Sequence, residues 1–215
     1  MSLVEVPLPE RVSKLPRQVD GFLREADSRI AEYLRRRPGS DHGFVASDPV
    51  AVYHAIQQVA DTNLAPGNLF CEWGSGFGLA ASLAAILDFD ACGIEIDHSL
   101  VEAAEELAED FEIPANFVHG SFIPPGAQQI SESAYAADPG EAYWLATDSD
   151  DAYEALGLDI DDFDIVFAYP WPNEESVVAK IFDRYAAEGA LLLTYGHLES
   201  MQLRRKVRQR KRRAG

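Results

Sequence analysis

The spacing of apolar side chains near the N-terminus predicts two helices. In residues 14–37 apolar positions recur at three- and four-residue intervals, and the segment ends in arginines, which suit a helix C-terminus. In residues 48–64 a second helical pattern begins, with Ser47 or Asp48 as its cap and Pro49 in its first turn. We therefore expect a helical entry segment ahead of the main part of the fold.

From residue 68 onward, apolar runs of strand length alternate with helical segments. The pattern predicts strands at 68–73, 91–97, 116–122, 162–170 and 189–197. It predicts helices at 79–89, at 99–111 beginning with Ser99, and at 174–188. This alternation requires crossover connections, so the predicted fold class is α/β, a doubly wound and mostly parallel sheet with an N-terminal helical extension. Only eighteen residues follow the fifth strand, which predicts a reduced sheet.

These patterns divide the chain into three parts. Residues 1–43 form the predicted N-terminal helical extension, 44–203 the main domain, and 204–215 a basic tail. Within the main domain, residues 123–161 are an acidic, weakly periodic insertion between the third and fourth strands. Long loops without secondary structure are uncommon in compact domains, and Tyr143-Trp144-Leu145 is too apolar for a plain linker. We therefore predict a partly ordered flap.

Charge is distributed unevenly along the chain, whose formal net charge is −18. Residues 38–179 contain no lysine or arginine but hold 27 of the 36 acidic residues. Such a region repels polyanions and favours cations, although a merely solubilising or halophile-like surface has the same composition. Eight of the 18 basic residues lie in 204–215, so the tail either binds nucleic acid or another anionic partner, folds onto the acidic face, or forms a last strand.

Cysteine usage and hydropathy predict a cytoplasmic protein without a membrane partner. The two cysteines, Cys71 and Cys92, both fall in predicted strands and do not make a disulfide framework. The N-terminus lacks an apolar stretch of signal-peptide length, and no run of eighteen apolar residues occurs. The histidines and cysteines show no metal-ligand spacing, so no metal is expected. The oligomeric state stays open.

The segment FCEWGSGFG, residues 70–78, is a candidate ligand-binding turn. A glycine-rich turn between a strand and the next helix lets a ligand approach the backbone at the carboxyl edge of a doubly wound sheet. A dinucleotide frame exists at Gly76, Gly78 and Ala81, but the Glu72 carboxylate would repel a pyrophosphate. S-Adenosylmethionine is the better electrostatic match, because it has no phosphate and carries a sulfonium and an ammonium group.

The predicted second strand supplies a further candidate, Glu95 in the sequence GIEID. Glu95 lies 21 residues after Gly74, where an acid at the end of the second strand can accept hydrogen bonds from ribose hydroxyls. NAD sites share this feature, so it indicates a nucleoside rather than one particular nucleoside. The alternative is that Glu95 or Asp97 simply caps the following helix.

With these motifs, the chain resembles class I S-adenosylmethionine-dependent methyltransferases over residues 44–197. The matching parts are ExGxGxG from Glu72 to Gly78, GIEID, and FDIVFAYPWP. The layout of residues 44–78 is similar to the protein-lysine methyltransferase-like group. The resemblance implies a Rossmann-like fold with S-adenosylmethionine as the cofactor, and places Gly120 and Ser121 near adenine. The cofactor-binding residues implied in this way are Glu72, Gly74, Ser75, Gly76, Gly78, Glu95, Ile96, Gly120 and Ser121.

The loop after the fourth strand is the predicted place of catalysis. Tyr169, Pro170 and Trp171 combine a stiff backbone with two aromatic faces, a wall against which a substrate can be aligned with a methyl group. The alternative is that both aromatic side chains only pack the loop. The loop is similar to the [DNS]-P-P-[YFW] motif of amino-directed nucleic-acid methyltransferases. It is also similar to the P-W-P of tRNA guanine-7 methyltransferases, although their following basic stretch is replaced here by residues 173–175, Asn-Glu-Glu.

Methyl transfer from a sulfonium depends on alignment more than on acid–base chemistry, because the leaving group departs neutral. A base is needed only when the acceptor binds in its protonated form, and the candidates are Tyr169, Asp48, His119 and His197.

The sequence therefore predicts a methyltransferase acting on an unidentified acceptor, an amine or other cationic group on a protein or small molecule. Three alternatives stay open. The first is a non-catalytic cofactor-binding protein whose tail contacts an anionic partner, the second a tRNA or other RNA methyltransferase, and the third an NAD-dependent oxidoreductase.

Overall fold

The computed structural model describes residues 2–8, 13–36, 47–127, 129–130, 151–171, 174–196 and 200–208. The helices in these ranges are α1 (Arg17–Arg36), α2 (Pro49–Asp61), α3 (Leu79–Ile86), α4 (His98–Asp110), α5 (Ala152–Leu156) and α6 (Glu175–Tyr185). Within the described part of the chain, none of them combines the length and the apolar character needed to cross a bilayer.

Two helix starts are fixed by aspartate caps. The Asp48 carboxylate accepts hydrogen bonds from Val50 N at 2.9 Å and Ala51 N at 3.2 Å, so Asp48 rather than Ser47 caps α2. Asp97 accepts a hydrogen bond from Ser99 N at 2.9 Å and caps α4. Helix α4 therefore begins one residue before the predicted Ser99.

The strands form one seven-stranded mixed sheet in the order β1-β7-β6-β5-β2-β3-β4. Five of them, β2 to β6, run parallel to one another, whereas β7 is antiparallel to both β6 and β1. Their bounds are β1 (Ser2–Val6), β2 (Leu69–Trp73), β3 (Asp90–Glu95), β4 (Ala115–His119), β5 (Ile165–Ala168), β6 (Leu191–Gly196) and β7 (Ser200–Val207). The predicted α/β, doubly wound class is confirmed.

The predicted reduced sheet is wrong, because both ends of the chain add a strand. Residues 204–207, assigned from sequence to the basic tail, belong to β7, as the last-strand alternative predicts, and Arg204 and Arg205 pair with Leu192 and Leu191 of β6. Strand β1 lies in the segment expected to be a helical extension and pairs with β7 from Ser2↔Val207 to Val6↔Leu203. Of the remaining residues of the predicted tail, Arg208 follows β7 and 209–215 lie outside the described residues.

The sheet separates two hydrophobic cores, since successive side chains of a strand point to opposite faces. In β2, Phe70 packs in the core that covers one face together with α1, α2, α3 and α4, while Cys71 packs in the other core with α5 and α6. Both cysteines are buried free thiols. Helices on both faces explain why the central parallel strands are mostly apolar.

The described end of the insertion packs beside the carboxyl end of β4. Asp151 forms a parallel bridge with Ser121, and α5 follows directly. The Tyr153 side chain is buried, and its hydroxyl donates a hydrogen bond to Phe122 O at 2.6 Å. Residues 131–150, which include the apolar Tyr143-Trp144-Leu145 of the predicted flap, lie outside the described residues.

Candidate active site

A cavity opens at the carboxyl ends of the parallel strands. The strand order reverses between β2 and β5, and this switch point of a doubly wound sheet is where such folds bind ligands. The cavity receives residues from the ends of β2, β3, β4 and β5 and from the start of α6. Of the predicted cofactor residues, those that line it are Gly74, Glu95, Ile96, Gly120 and Ser121.

The glycine turn brings bare backbone to the cavity edge. Gly74 and Ser75 both donate their N–H groups to Ile94 O, at 2.9 and 3.0 Å, which ties the turn to the neighbouring strand. Gly74, Gly76 and Gly78 have φ values of +68°, +52° and +68°, a region that glycine adopts without strain. Nothing lies within 4 Å of where a Gly74 side chain would begin. The turn therefore leaves room at Gly74, whereas Ser75, Gly76 and Gly78 do not line the cavity.

Glu95 is held in place by three backbone N–H groups. Its Oε2 accepts a hydrogen bond from Gly76 N at 2.8 Å, and its Oε1 accepts from Ile96 N at 2.7 Å and Asp97 N at 2.9 Å. The side chain is 7% exposed, and burial raises the pKa of Glu95 although these hydrogen bonds oppose the rise. A carboxylate has about four acceptor sites, so the group keeps capacity for a ligand hydroxyl at the cavity.

Glu72 has a different environment from the one expected. Its carboxylate does not line the cavity; Oε2 accepts a hydrogen bond from Ala81 N at 2.8 Å, in the first turn of α3. Gly78, the α3 cap residue, has no side chain to fill this role. Burial raises the pKa of Glu72 to about 8, against hydrogen bonds from the Ala81 and Ala80 backbone. The negative charge that the sequence analysis used to select a cationic cofactor is therefore largely suppressed at neutral pH, and direct cofactor contact by Glu72 stays a prediction.

The loop after β5 lines the same cavity as Glu95. Tyr169, Pro170 and Trp171 all line the cavity, so the predicted cofactor and substrate residues meet in one place. Tyr169 packs edge-on against Tyr195 with ring centroids 5.2 Å apart. Tyr169 therefore both packs against Tyr195 and lines the cavity, so its role in aligning a substrate and the alternative of loop packing both stay open. Pro172 lies outside the described residues.

Glu174 is a cavity residue that the sequence analysis did not select. It precedes α6, is 7% exposed, and its Oε2 accepts a hydrogen bond from Trp171 N at 3.1 Å. Its other oxygen, Oε1, is buried and has no hydrogen-bond partner among the residues that the structure describes. Burial raises the pKa of Glu174 to about 7; the Trp171 hydrogen bond opposes this rise and the charge of Glu175 adds to it. A glutamate in an acidic sequence gives no signal of such burial, because its hydrogen bonds with the Trp171 backbone are not visible in the sequence pattern.

The other candidates for a base lie apart from the cavity. Asp48 caps α2, and the His119 ring nitrogen Nε2 lies 3.0 Å from Ile96 O. Neither residue lines the cavity, and His197 lies outside the described residues. Across the described ranges, no group of three or more histidine, cysteine, aspartate and glutamate side chains is placed to hold a metal ion.

Solved structures with the same fold are methyltransferases. An RNA methyltransferase from Salinibacter ruber in complex with S-adenosyl-L-homocysteine aligns with a TM-score of 0.51 at 17% identity, over 79% of this chain and 97% of that one. A methyltransferase from Geobacter sulfurreducens aligns with a TM-score of 0.51 at 14% identity, over 91% of this chain and 93% of that one. An O-methyltransferase from Bacillus cereus in complex with S-adenosyl-L-homocysteine aligns with a TM-score of 0.51 at 12% identity, over 84% of this chain and 66% of that one.

These similarities show the fold. The chain has the α/β Rossmann-like fold of class I S-adenosylmethionine-dependent methyltransferases, as the sequence predicts. No protein-family model matches the chain, and no curated protein matches it at a significant level.

Proposed function

We propose that this protein is an S-adenosylmethionine-dependent methyltransferase. The observation that carries the proposal is Glu95, a buried carboxylate fixed by three backbone N–H groups beside the open Gly74 turn. This is an acceptor for ribose hydroxyls at the switch point of a methyltransferase fold. The cavity lining fits the cofactor, since it offers hydrogen-bond acceptors and bare backbone. The described lining contains no cation that would favour a pyrophosphate.

The chain's own residues supply binding and alignment. When bound, S-adenosylmethionine provides a methyl group on a sulfonium centre, which departs as a neutral thioether. Glu95 orients the nucleoside, and the Tyr169–Trp171 wall, which lines the same cavity, orients the acceptor. Holding two reactants in line is worth about 7–11 kcal/mol of the barrier in favourable cases, so alignment can carry most of this reaction.

We further propose that the acceptor is an amine or another cationic group, on a protein or a small molecule. Tyr169 and Trp171 offer aromatic faces of the kind that attract cations, and Glu95 and Glu174 make the cavity acidic. The sequence resemblance of residues 44–78 to the protein-lysine methyltransferase-like group also favours an amine acceptor. An RNA acceptor, as in the Salinibacter ruber protein, fits less well, because residues 38–179 contain no lysine or arginine to hold phosphates.

Isothermal calorimetry of the purified chain tests the cofactor. We expect heat of binding with S-adenosylmethionine and S-adenosylhomocysteine and none with NAD. Glu95→Gln should weaken binding about 10- to 100-fold, the usual effect of losing a hydrogen bond to a charged group. Glu102→Gln is the matched control, since Glu102 is exposed on α4, and it should bind as the parent does. Binding of NAD alone would overturn the proposal.

Transfer from methyl-labelled cofactor tests the acceptor in the same preparation. Lysine-rich peptides should take up label and RNA should not. Labelling of RNA alone would contradict the amine acceptor, and cofactor binding without transfer to any fraction of a cell lysate would favour the non-catalytic alternative.

A further inference from the structure

Only one of the two oxygens of the Glu174 carboxylate is hydrogen-bonded within the described fold. Oε2 accepts a hydrogen bond from Trp171 N at 3.1 Å, and the turn is closed by Glu174 N donating to Trp171 O at 3.0 Å. These contacts explain why the side chain points inward, toward the loop that forms the cavity wall. Within the described residues they leave Oε1 without a hydrogen-bond partner, although Glu174 is only 7% exposed.

An unpartnered carboxylate oxygen at such a site is costly. A buried polar group that lacks a hydrogen bond costs about 1–3 kcal/mol, and more when it is charged. The cost is offset if a ligand provides the missing donor. Because Glu174 shares the cavity with Tyr169 and Trp171, that donor would sit beside two aromatic faces.

From this geometry, we propose that Glu174 binds the positively charged nitrogen of the methyl acceptor and removes its proton before transfer. The inference rests on the proposed methyltransferase function and names the residue that serves its acceptor. The ammonium N–H proton passes to Oε1, which converts the carboxylate to a carboxylic acid and frees the nitrogen lone pair. The lone pair then forms the N–C bond to the methyl group as the S–C bond breaks, and its electrons stay on sulfur.

The protonation behaviour of Glu174 suits this role. Burial raises the pKa of Glu174 to about 7, so the group exists in both forms near neutral pH, as a general base requires. Among the described residues, the other titratable groups that line the cavity are Glu95 and Tyr169. The charge of Glu175 also raises the pKa of Glu174. As the pH falls through about 7, a growing share of the Glu174 side chain is protonated and loses its charge attraction for an ammonium ion.

The test uses the full chain saturated with S-adenosylhomocysteine, with n-butylammonium as the probe in calorimetry. Glu174→Gln keeps an oxygen for Trp171 N but removes the charge. We expect it to weaken binding of the probe at least 10-fold at pH 8, while S-adenosylhomocysteine binds as before. The parent should bind the probe several-fold more tightly at pH 8 than at pH 6, and Glu174→Gln should lose this dependence. Glu175→Gln removes the same charge one position away, outside the cavity lining, and should retain binding of the probe.

Kinetics supply a second readout when a lysine-rich peptide is methylated. Loss of a general base lowers kcat by about 10²- to 10⁴-fold, and Glu174→Gln should fall in this range. Equal probe binding by the parent and Glu174→Gln, or no probe binding by the parent, would overturn the role of Glu174 while leaving the cofactor result intact. Failure to bind S-adenosylhomocysteine would instead remove the proposed function, and this inference with it.

Discussion

Gly78 shows that a motif glycine can be required by packing rather than by a ligand. A Cβ at this position would lie 2.3 Å from Phe117 Cε1 and 2.4 Å from Phe117 Cζ, far inside contact distance. The backbone also has φ = +68°, which disfavours other residues. Because Gly78 does not line the cavity, the Phe117 ring on β4 and the start of α3 define this position, not the cofactor.

Substitution of Gly78, compared with a second glycine, separates the cost of backbone strain from the cost of contact with the Phe117 ring. Gly157 has nearly the same backbone, φ = +66°, with nothing within 4 Å of a new Cβ, so it is a matched control. We expect Gly157→Ala to lower the free energy of unfolding by about 1–2 kcal/mol, from backbone strain alone. Gly78→Ala should lose about 1–3 kcal/mol more because of overpacking. Urea unfolding measures both, and Phe117→Leu combined with Gly78→Ala should recover part of the loss. Equal losses at the two glycines would show that the ring does not constrain the turn.

Glu72 and Glu174 show how burial changes the meaning of an acidic residue. In the sequence both are carboxylates in an acidic chain, and Glu72 stands within the glycine motif. The fold directs Glu72 to the backbone of α3 and Glu174 to the cavity wall, and burial raises both pKa values. The electrostatic argument for S-adenosylmethionine over a dinucleotide therefore rests on the described cavity lining, which contains no lysine or arginine, and not on a charge at Glu72.

At the scale of elements, the ends of the chain complete the sheet. Within the described sheet, β1 is hydrogen-bonded to β7 and to no other strand. Strand β7 also covers the edge of β6. Lys206 lies in β7 with 1% exposure, and its Nζ donates a hydrogen bond to Ala186 O, just after α6. Arg205 donates a hydrogen bond to Leu64 O at 2.7 Å. Part of the sequence that resembles a nucleic-acid-binding tail is therefore structural.

Lys206 provides the test of this structural role. Lys206→Ala removes a buried aliphatic stem and the donor to Ala186 O, and should lower the free energy of unfolding by about 2–4 kcal/mol. Lys180→Ala is the control, because Lys180 is exposed on α6 and its loss should change stability by less than about 0.5 kcal/mol. Chemical unfolding of the two variants gives the comparison. If Lys206→Ala is as mild as the control, residues 204–207 behave as a free tail.

At the scale of the whole molecule, charge opposes the compact state. The net charge is −18, and the acidic residues concentrate in a span without lysine or arginine. Self-repulsion of this kind destabilises a folded chain and is screened by salt. Helix α4 contributes to it, since Glu105, Glu106 and Glu109 are all exposed.

Salt should therefore stabilise the protein. Raising NaCl from about 0.01 M to about 1 M shortens the Debye length from about 30 Å to about 3 Å. We expect Tm, measured by circular dichroism, to rise by more than about 2–4 °C, which corresponds to about 1 kcal/mol for a domain of this size. A variant with Gln at positions 105, 106 and 109 should start from a higher Tm and respond less. An unchanged Tm would show that the acidic surface does not limit stability.

The sequence by itself determined the central α/β alternation. Apolar periodicity, aspartate caps and glycine punctuation are local signals, so β2 to β6 and their helices could be predicted within a few residues. The glycine turn, Glu95 and the Tyr169–Trp171 loop could also be chosen, because parallel strands place their carboxyl ends at one edge and so bring distant motifs together.

Only the tertiary structure decided the features that depend on contacts between distant segments. Strand β1 is five residues long and joins the sheet by pairing with β7 at the other end of the chain. The burial of Glu72, Glu174 and Lys206 depends on which elements pack over them, and a charged residue looks the same in sequence whether it is solvated or enclosed. Protonation and hydrogen bonding follow from that enclosure, so the chemical character of these three residues was fixed by packing.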